Sequence, residues 1–165
     1  MTRQFVYAFI AASALAGAGC RQADGPLPPV TSSVSNELGD IGKDLWNVGN
    51  DNADGPKDLS DDLSHYAQGS NGGEAAAKQL SQRVTSAIAG KKFKLAQSAP
   101  LARTCWEIVA ARQLSEKQVD GLKNDLKSQL MSLGATDQQA QSAADQVGPV
   151  QQAVTARHRR WYELL

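Results

Sequence analysis

The stretch Leu114-Ser-Glu-Lys-Gln-Val-Asp-Gly-Leu-Lys-Asn-Asp-Leu-Lys-Ser-Gln-Leu-Met-Ser-Leu-Gly134 carries a complete set of signals for one α-helix. Ser115 and Gln118 have the spacing of a capping box, and Leu114 with Val119 flanks the box as a hydrophobic staple. Gly134 stands where a helix often ends in a left-handed glycine. Between these ends, apolar residues recur every three or four positions, at Val119, Leu122, Leu126, Leu130 and Leu133. The stretch therefore predicts an amphipathic helix whose apolar face needs other helices to cover it.

Apolar stripes with the same spacing predict helices before this stretch. Their residues are Val34, Leu38, Ile41, Leu45 and Val48; Leu59, Leu63 and Tyr66; Ala76, Leu80, Val84, Ala87 and Ile88; and Leu101, Cys105, Ile108 and Val109. Pro56 suits the first turn of the second helix, and Gly90 ends the third. The fourth is expected to begin at Ser98 and Pro100 and to run to about Gln113.

The chain after Gly134 predicts further helical structure. Thr136 and Gln139 repeat the capping pattern, and we expect Gly148-Pro149 to kink or break the helix that follows. Val150, Val154, Trp161 and Leu165 continue an apolar face to the last residue. No run alternates apolar and polar residues as a strand does. The expected fold is all-α, an irregular bundle of about five to seven amphipathic helices in a single domain over residues 32–165.

The first 31 residues have a different character. Arg3 precedes an apolar run from Phe5 to Leu15, and the small residues Ala16-Gly-Ala-Gly19 lead to Cys20. This arrangement resembles the signal peptide of bacterial lipoprotein precursors, although Gly17 stands where those precursors usually have Leu. The resemblance implies that residues 1–19 are removed and that Cys20 is acylated. Residues 20–31, rich in Pro and Gly, then form a flexible tether.

Ordinary signal cleavage after Ala18 remains the alternative, because Ala16-Gly-Ala18 is an A-x-A site and would leave a secreted chain. The fates of the two cysteines are then coupled. If Cys20 is acylated, Cys105 is a lone thiol that burial would protect from oxidation. If Cys20 is free, a Cys20–Cys105 disulfide becomes available.

Charge is segregated along a chain whose formal net charge is zero. Residues 37–74 are mainly acidic, whereas Lys78 to Arg112 is basic with Glu107 as its one acid. The two parts either pack with complementary fields, or the basic part meets anionic lipid or an envelope polymer. The candidate residues for membrane or anionic-partner contact are Lys91, Lys92, Lys94, Arg157, Arg159 and Arg160.

The segment Asn50-Asp-Asn-Ala-Asp-Gly-Pro-Lys-Asp-Leu-Ser-Asp61 lies between two predicted helices and has oxygen-bearing side chains at loop positions 1, 3, 5, 9 and 12. It resembles the calcium loop of EF-hand and dockerin modules, with Gly55 at the sharp turn. The implied ligands of Ca²⁺ are Asn50, Asn52, Asp54, Asp58 and Asp61. An acidic turn that caps the second helix explains most of the same residues.

Leu114-Ser-Glu-Lys-Gln118 is also similar to the L-T-x-x-Q signature of small periplasmic stress chaperones of the Spy and CpxP kind. The capping box accounts for the same residues without any family. No phosphate-binding glycine loop, metalloprotease motif or nucleophile elbow is present, and we interpret the adjacent carboxylates Asp61 and Asp62 as surface residues.

These observations favour a non-enzymatic envelope lipoprotein with a helical binding or structural domain and no cofactor besides the covalent lipid. A calcium module and a Spy/CpxP-like chaperone are the alternatives. We expect an exported protein that faces the periplasm, and Arg21 after the cysteine favours the outer membrane. An envelope protein or polymer is the expected partner, nucleic acid is not, and the Val34–Val48 stripe leaves homodimerisation open.

Overall fold

Seven α-helices form within residues 32–68 and 72–162, the part of the chain that the computed structural model describes. They are α1 (Ser32–Gly49), α2 (Gly55–Tyr66), α3 (Gly73–Ile88), α4 (Leu95–Ala110), α5 (Glu116–Ser132), α6 (Asp137–Ala144) and α7 (Val147–Tyr162). No strand occurs in these residues, so the expectation of an all-α bundle is confirmed. Residues 1–31, which hold the predicted signal peptide and tether, and residues 69–71 and 163–165 lie outside the described residues.

Three helix boundaries differ from the prediction, one of them the end of α4, which falls at Ala110 and not at about Gln113. Helix α4 begins at Leu95, three residues before Ser98, and Gln97 Oε1 accepts a hydrogen bond from the Lys94 N–H at 2.8 Å. Pro100 therefore lies inside α4 and leaves one backbone carbonyl of the preceding turn without its donor. The break between α6 and α7 falls at residues 145–146. Gly148 and Pro149 belong to the first turn of α7, where the N–H that proline lacks needs no helical partner.

The core is one cluster to which all seven helices contribute, and the apolar stripe of α1 enters it between α4 and α2. Ile41 and Leu45 are fully buried, and Val48 is 2% exposed. The Ser98 hydroxyl donates to the carbonyl of Gly42 at 2.7 Å and ties α4 to α1 at this level. The part of the α1 stripe from Ile41 to Val48 therefore closes within the chain.

Helix α5 matches its prediction closely. Ser115 accepts from the Gln118 N–H through its hydroxyl, and Gln118 Oε1 accepts from the Ser115 N–H at 2.9 Å. Leu122, Leu126 and Leu130 are buried along the stripe. Gly134 follows with φ of 97°, a left-handed conformation that favours glycine. Local signals therefore determine both ends of this helix.

The helices run so that their ends gather at two poles. At one pole the Lys92 N–H donates to the Gly49 carbonyl at 2.9 Å, and the side chain of Lys91 lies beside Gly134. We call this pole, made of residues 50–57, 89–95 and 131–137, the connector end. At the opposite pole, Arg112 donates to the Tyr66 carbonyl at 3.1 Å and joins the ends of α4 and α2. Helix α1 begins at this second pole, the tether end.

The thiol of Cys105 lies in the middle of the core. Its residue has 0% exposure, and burial raises the pKa of the thiol to about 12. A thiol that stays protonated is a poor nucleophile and a poor metal ligand. Cys105 therefore serves as a packing residue of α4.

Among the described residues, no helix combines the length and the apolar character that crossing a bilayer would require.

Candidate functional site

The segment proposed to bind calcium is folded tightly onto the end of α1. Asn50 uses its side-chain nitrogen to donate to the Trp46 carbonyl at 2.9 Å and to the Phe93 carbonyl at 3.4 Å. Asn52 Oδ1 accepts from the Asp54 N–H at 3.2 Å, as in an Asx turn. The side chains at the first and third loop positions are thus already engaged with the backbone.

Helix α2 begins at Gly55, in the middle of that segment. A Cβ atom at Gly55 would lie 2.7 Å from the Val48 backbone nitrogen, so the glycine lets the loop approach α1 closely. Asp58 and Asp61 consequently lie on the helix itself, and Asp61 is exposed. Within residues 32–68 and 72–162, no group of three or more His, Cys, Asp or Glu side chains is arranged to hold a metal ion. Calcium binding by Asn50 to Asp61 stays a prediction.

Four aspartates instead form a cluster between α1 and α2. Asp40 and Asp44 are one turn apart on α1, and Asp58 and Asp62 are one turn apart on α2. We call these four residues the acid cluster. A hydrogen bond between the side chains of Asp44 and Asp62 is among the causes of their shifted pKa values, and such a bond needs a proton on one of the two carboxyl groups. Asp44 is only 8% exposed.

Burial is the largest cause of the shifted titration of this pair. Burial first, and then the negative charges of Asp62, Asp58 and Asp40, together raise the pKa of Asp44 to about 7. Burial and the charges of Asp40 and Asp58 also raise the pKa of Asp62, whereas the bond from Asp44 and the nearby His65 lower it. Because the two groups share one proton, the shift belongs to the pair and not to either residue alone.

The interpretation of Asp62 as a surface residue was wrong, because Asp62 is half-buried against α1. A sequence signal for the cluster exists. Asp40 and Asp44 lie on the side of α1 that faces α2, and Asp58 and Asp62 repeat the four-residue spacing on α2. What the sequence does not show is that the two pairs meet. Chemically, the arrangement can hold and release one proton near neutral pH.

The lysines proposed for anionic contact do come together. Lys91, Lys92 and Lys94 are all exposed on the loop that joins α3 to α4. Lys92 has φ of 51°, and its N–H bond to Gly49 fixes the loop on the end of α1. The side chains of Arg157, Arg159 and Arg160, like Cys20, lie outside the described residues.

A groove of about 600 Å³ separates α5 from α7. Its lining residues are Leu114, Glu116, Val119, Asp120, Lys123, Gly148, Gln151, Gln152 and Thr155. Gln151 is 5% exposed and donates through Nε2 to the Ile108 carbonyl at 2.6 Å, while its Oε1 has no hydrogen-bond partner. Part of the Leu114–Gln118 stretch therefore borders a concave surface in addition to capping α5.

One of the two histidines lies near the acid cluster, since His65 lowers the pKa of Asp62. His65 is exposed on α2, and its ring meets that of Tyr66 edge to face with the centroids 5.5 Å apart. The side chain of His158 lies outside the described residues. No family model, curated protein or solved structure matches this chain.

Proposed function

We propose that this protein is a lipid-anchored envelope lipoprotein whose helical domain acts by binding and not by catalysis. The observation that carries the proposal is the order of segments in the chain. An apolar leader ends in small residues at Cys20, a Pro- and Gly-rich stretch follows, and α1 begins at Ser32. Such an order suits a folded domain held near a membrane by its N-terminus.

The chemistry of the bundle supports a non-catalytic role. The thiol of Cys105 is buried and protonated, which removes it as a nucleophile. The most perturbed carboxyl groups, Asp44 and Asp62, face each other across a helix–helix contact. A general acid or base needs access to a substrate proton. Asp44 is only 8% exposed and lies between two helices, so a substrate has little access to its carboxyl group.

The intact mass of the mature protein, recovered from the membrane fraction, tests the anchor. We expect a chain that begins at Cys20 and carries the mass of fatty acyl groups. Cys20→Ser should abolish both the added mass and the membrane fractionation. Cys105→Ala is the matched control, because it removes the other cysteine and should leave the acyl mass unchanged.

A soluble chain that begins at Gly19 would contradict this proposal. If that chain were also two mass units lighter than its reduced form, a Cys20–Cys105 disulfide would replace the lipid. The protein would then be a secreted binding module.

A further inference from the structure

Two large apolar side chains are exposed among those that the structure describes, and both lie at the connector end. Leu95, the first residue of α4, is 53% exposed, and Met131, in the last turn of α5, is 45% exposed. The other large aliphatic side chains of these two helices point into the core. Single exposed apolar residues are ordinary, but these two share one pole of the bundle with a group of cations.

Four lysines lie at the same pole as the two apolar side chains. Lys94 directly precedes Leu95, and Lys91 lies beside Gly134, three residues after Met131. Lys92 is exposed on the same loop, and Lys57 is exposed in the first turn of α2, which also begins at this pole.

Acidic groups offset only part of this charge. Asp51, whose carboxylate lies against Gly90, and Asp54 are also at the connector end. Asp137 is paired with Lys127 at 2.8 Å and adds no net charge. The residues that define this pole carry four lysines (57, 91, 92 and 94) and three aspartates (51, 54 and 137), a formal charge of +1 that becomes +2 when the Lys127 partner of Asp137 is included.

The chain before α1 is long enough to bring this pole to a membrane. Helix α1 has 18 residues, so its start at the tether end lies about 27 Å from the connector end. Residues 20–31 number twelve and can span at most about 40 Å. An anchor at Cys20 therefore permits the domain to lie with its connector end against the bilayer that holds the anchor.

We infer that the connector end is a docking face for a bilayer with anionic headgroups, where Lys91, Lys92 and Lys94 meet lipid phosphates and Leu95 and Met131 enter the headgroup boundary. The inference rests on the proposed function, since it assumes that Cys20 brings the domain to a membrane. Cations pair with anionic lipid, and apolar side chains gain by leaving water at the interface. The docking face gives the anchored domain a fixed orientation, with the tether end and the α5/α7 groove away from the lipid.

Vesicle co-sedimentation of the unacylated mature chain tests the docking face. The chain from residue 20 onward with Cys20→Ser keeps all seven helices and their core. We expect it to bind vesicles of phosphatidylglycerol mixed with phosphatidylcholine more strongly than vesicles of phosphatidylcholine alone. Added salt should weaken the binding, because salt screens charge pairs at an exposed surface.

Two variants and one control distinguish vesicle binding by this face from binding that depends only on the charge of the whole chain. K91Q/K92Q/K94Q should lower the partition coefficient at least about tenfold. L95S/M131S should also lower it without changing the net charge. The control K43Q/K78Q/K117Q removes three exposed lysines outside the connector end and should have a much smaller effect.

The inference is overturned if the chain does not prefer anionic vesicles, if the control triple variant lowers binding as much as K91Q/K92Q/K94Q, or if L95S/M131S binds as strongly as the parent chain. A failure of the docking-face inference can be distinguished from a failure of the proposed lipid anchor. The mass of native protein reports acylation of Cys20, whereas the vesicle experiment uses a chain that cannot be acylated.

Discussion

The fold requires glycine at position 49, where no side chain fits. Gly49 ends α1, and a Cβ atom at this position would collide with the Phe93 ring at Cε1. Phe93 is 7% exposed and thereby closes the core at the connector end. Close contact and not backbone conformation requires the glycine, because the φ of Gly49 is not in the left-handed region.

Gly49→Ala is expected to lower the free energy of unfolding by about 1–3 kcal/mol, because the added methyl group displaces the Phe93 ring. Gly39→Ala, in the same helix, is the matched control. No atom lies within 4 Å of a Cβ at Gly39, so alanine should stabilise α1 by about 0.5–1 kcal/mol. Urea denaturation of both variants measures the difference. Equal effects of the same sign would show that Phe93 does not occupy this position.

At the scale of the single helix, α5 shows how far local signals reach. Its capping box, its apolar stripe and Gly134 were all readable from the sequence, and the structure confirms them. Helix α4 was predicted to begin too late because Pro100 was interpreted as a first-turn residue. The bond from the Lys94 N–H to Gln97 forms only half of a capping box, and a lysine in place of Ser or Thr gives no sequence signal for this start.

Ser115→Ala should lower the free energy of unfolding by about 1 kcal/mol, because the N–H of Gln118 loses its acceptor. Ser128→Ala is the control on the same helix. Ser128 is exposed in the helix interior, so the change should stay within about 0.5 kcal/mol. Thermal and urea unfolding of the two variants provide the comparison, and a Ser115→Ala protein as stable as the parent would show that the box contributes nothing.

Contacts between helices were the part that the sequence could not supply. The sequence shows each aspartate pair on its own helix. Whether the two pairs lie close together depends on how α2 packs back along α1. The exposure of Leu95 and Met131 was missed for a related reason. Exposure of an apolar residue depends on what the neighbouring helices leave uncovered, and periodicity along one helix does not report it.

At the scale of the whole molecule, the acid cluster makes stability depend on pH. The pKa of Asp44 is about 7 in the folded chain against an ordinary value of 3.8. Between these values the folded state binds more protons than the unfolded state. This contribution to stability is therefore fully present below about pH 4 and is lost as the pH rises through about 7.

Raising the pH from 5 to 8 should accordingly lower the free energy of unfolding, by on the order of 2 kcal/mol for this pair. Asp44→Asn should remove most of the change and should be more stable than the parent chain at pH 8. Asp61→Asn, on the exposed side of α2, should keep the parent pH dependence. Urea titrations at several pH values test this, and a parent chain that is more stable at pH 8 than at pH 5 would refute it.

The complete burial of Cys105 gives the molecule a reporter of its own opening. With Cys20 acylated, the mature chain has one free thiol, and that thiol meets a water-soluble reagent only when the core comes apart. The rate at which an alkylating reagent labels Cys105 therefore reports the population of the opened domain when reclosing is faster than alkylation. Comparing the labelling rate of the acylated chain with that of the Cys20→Ser chain would show whether anchoring changes how often the domain opens.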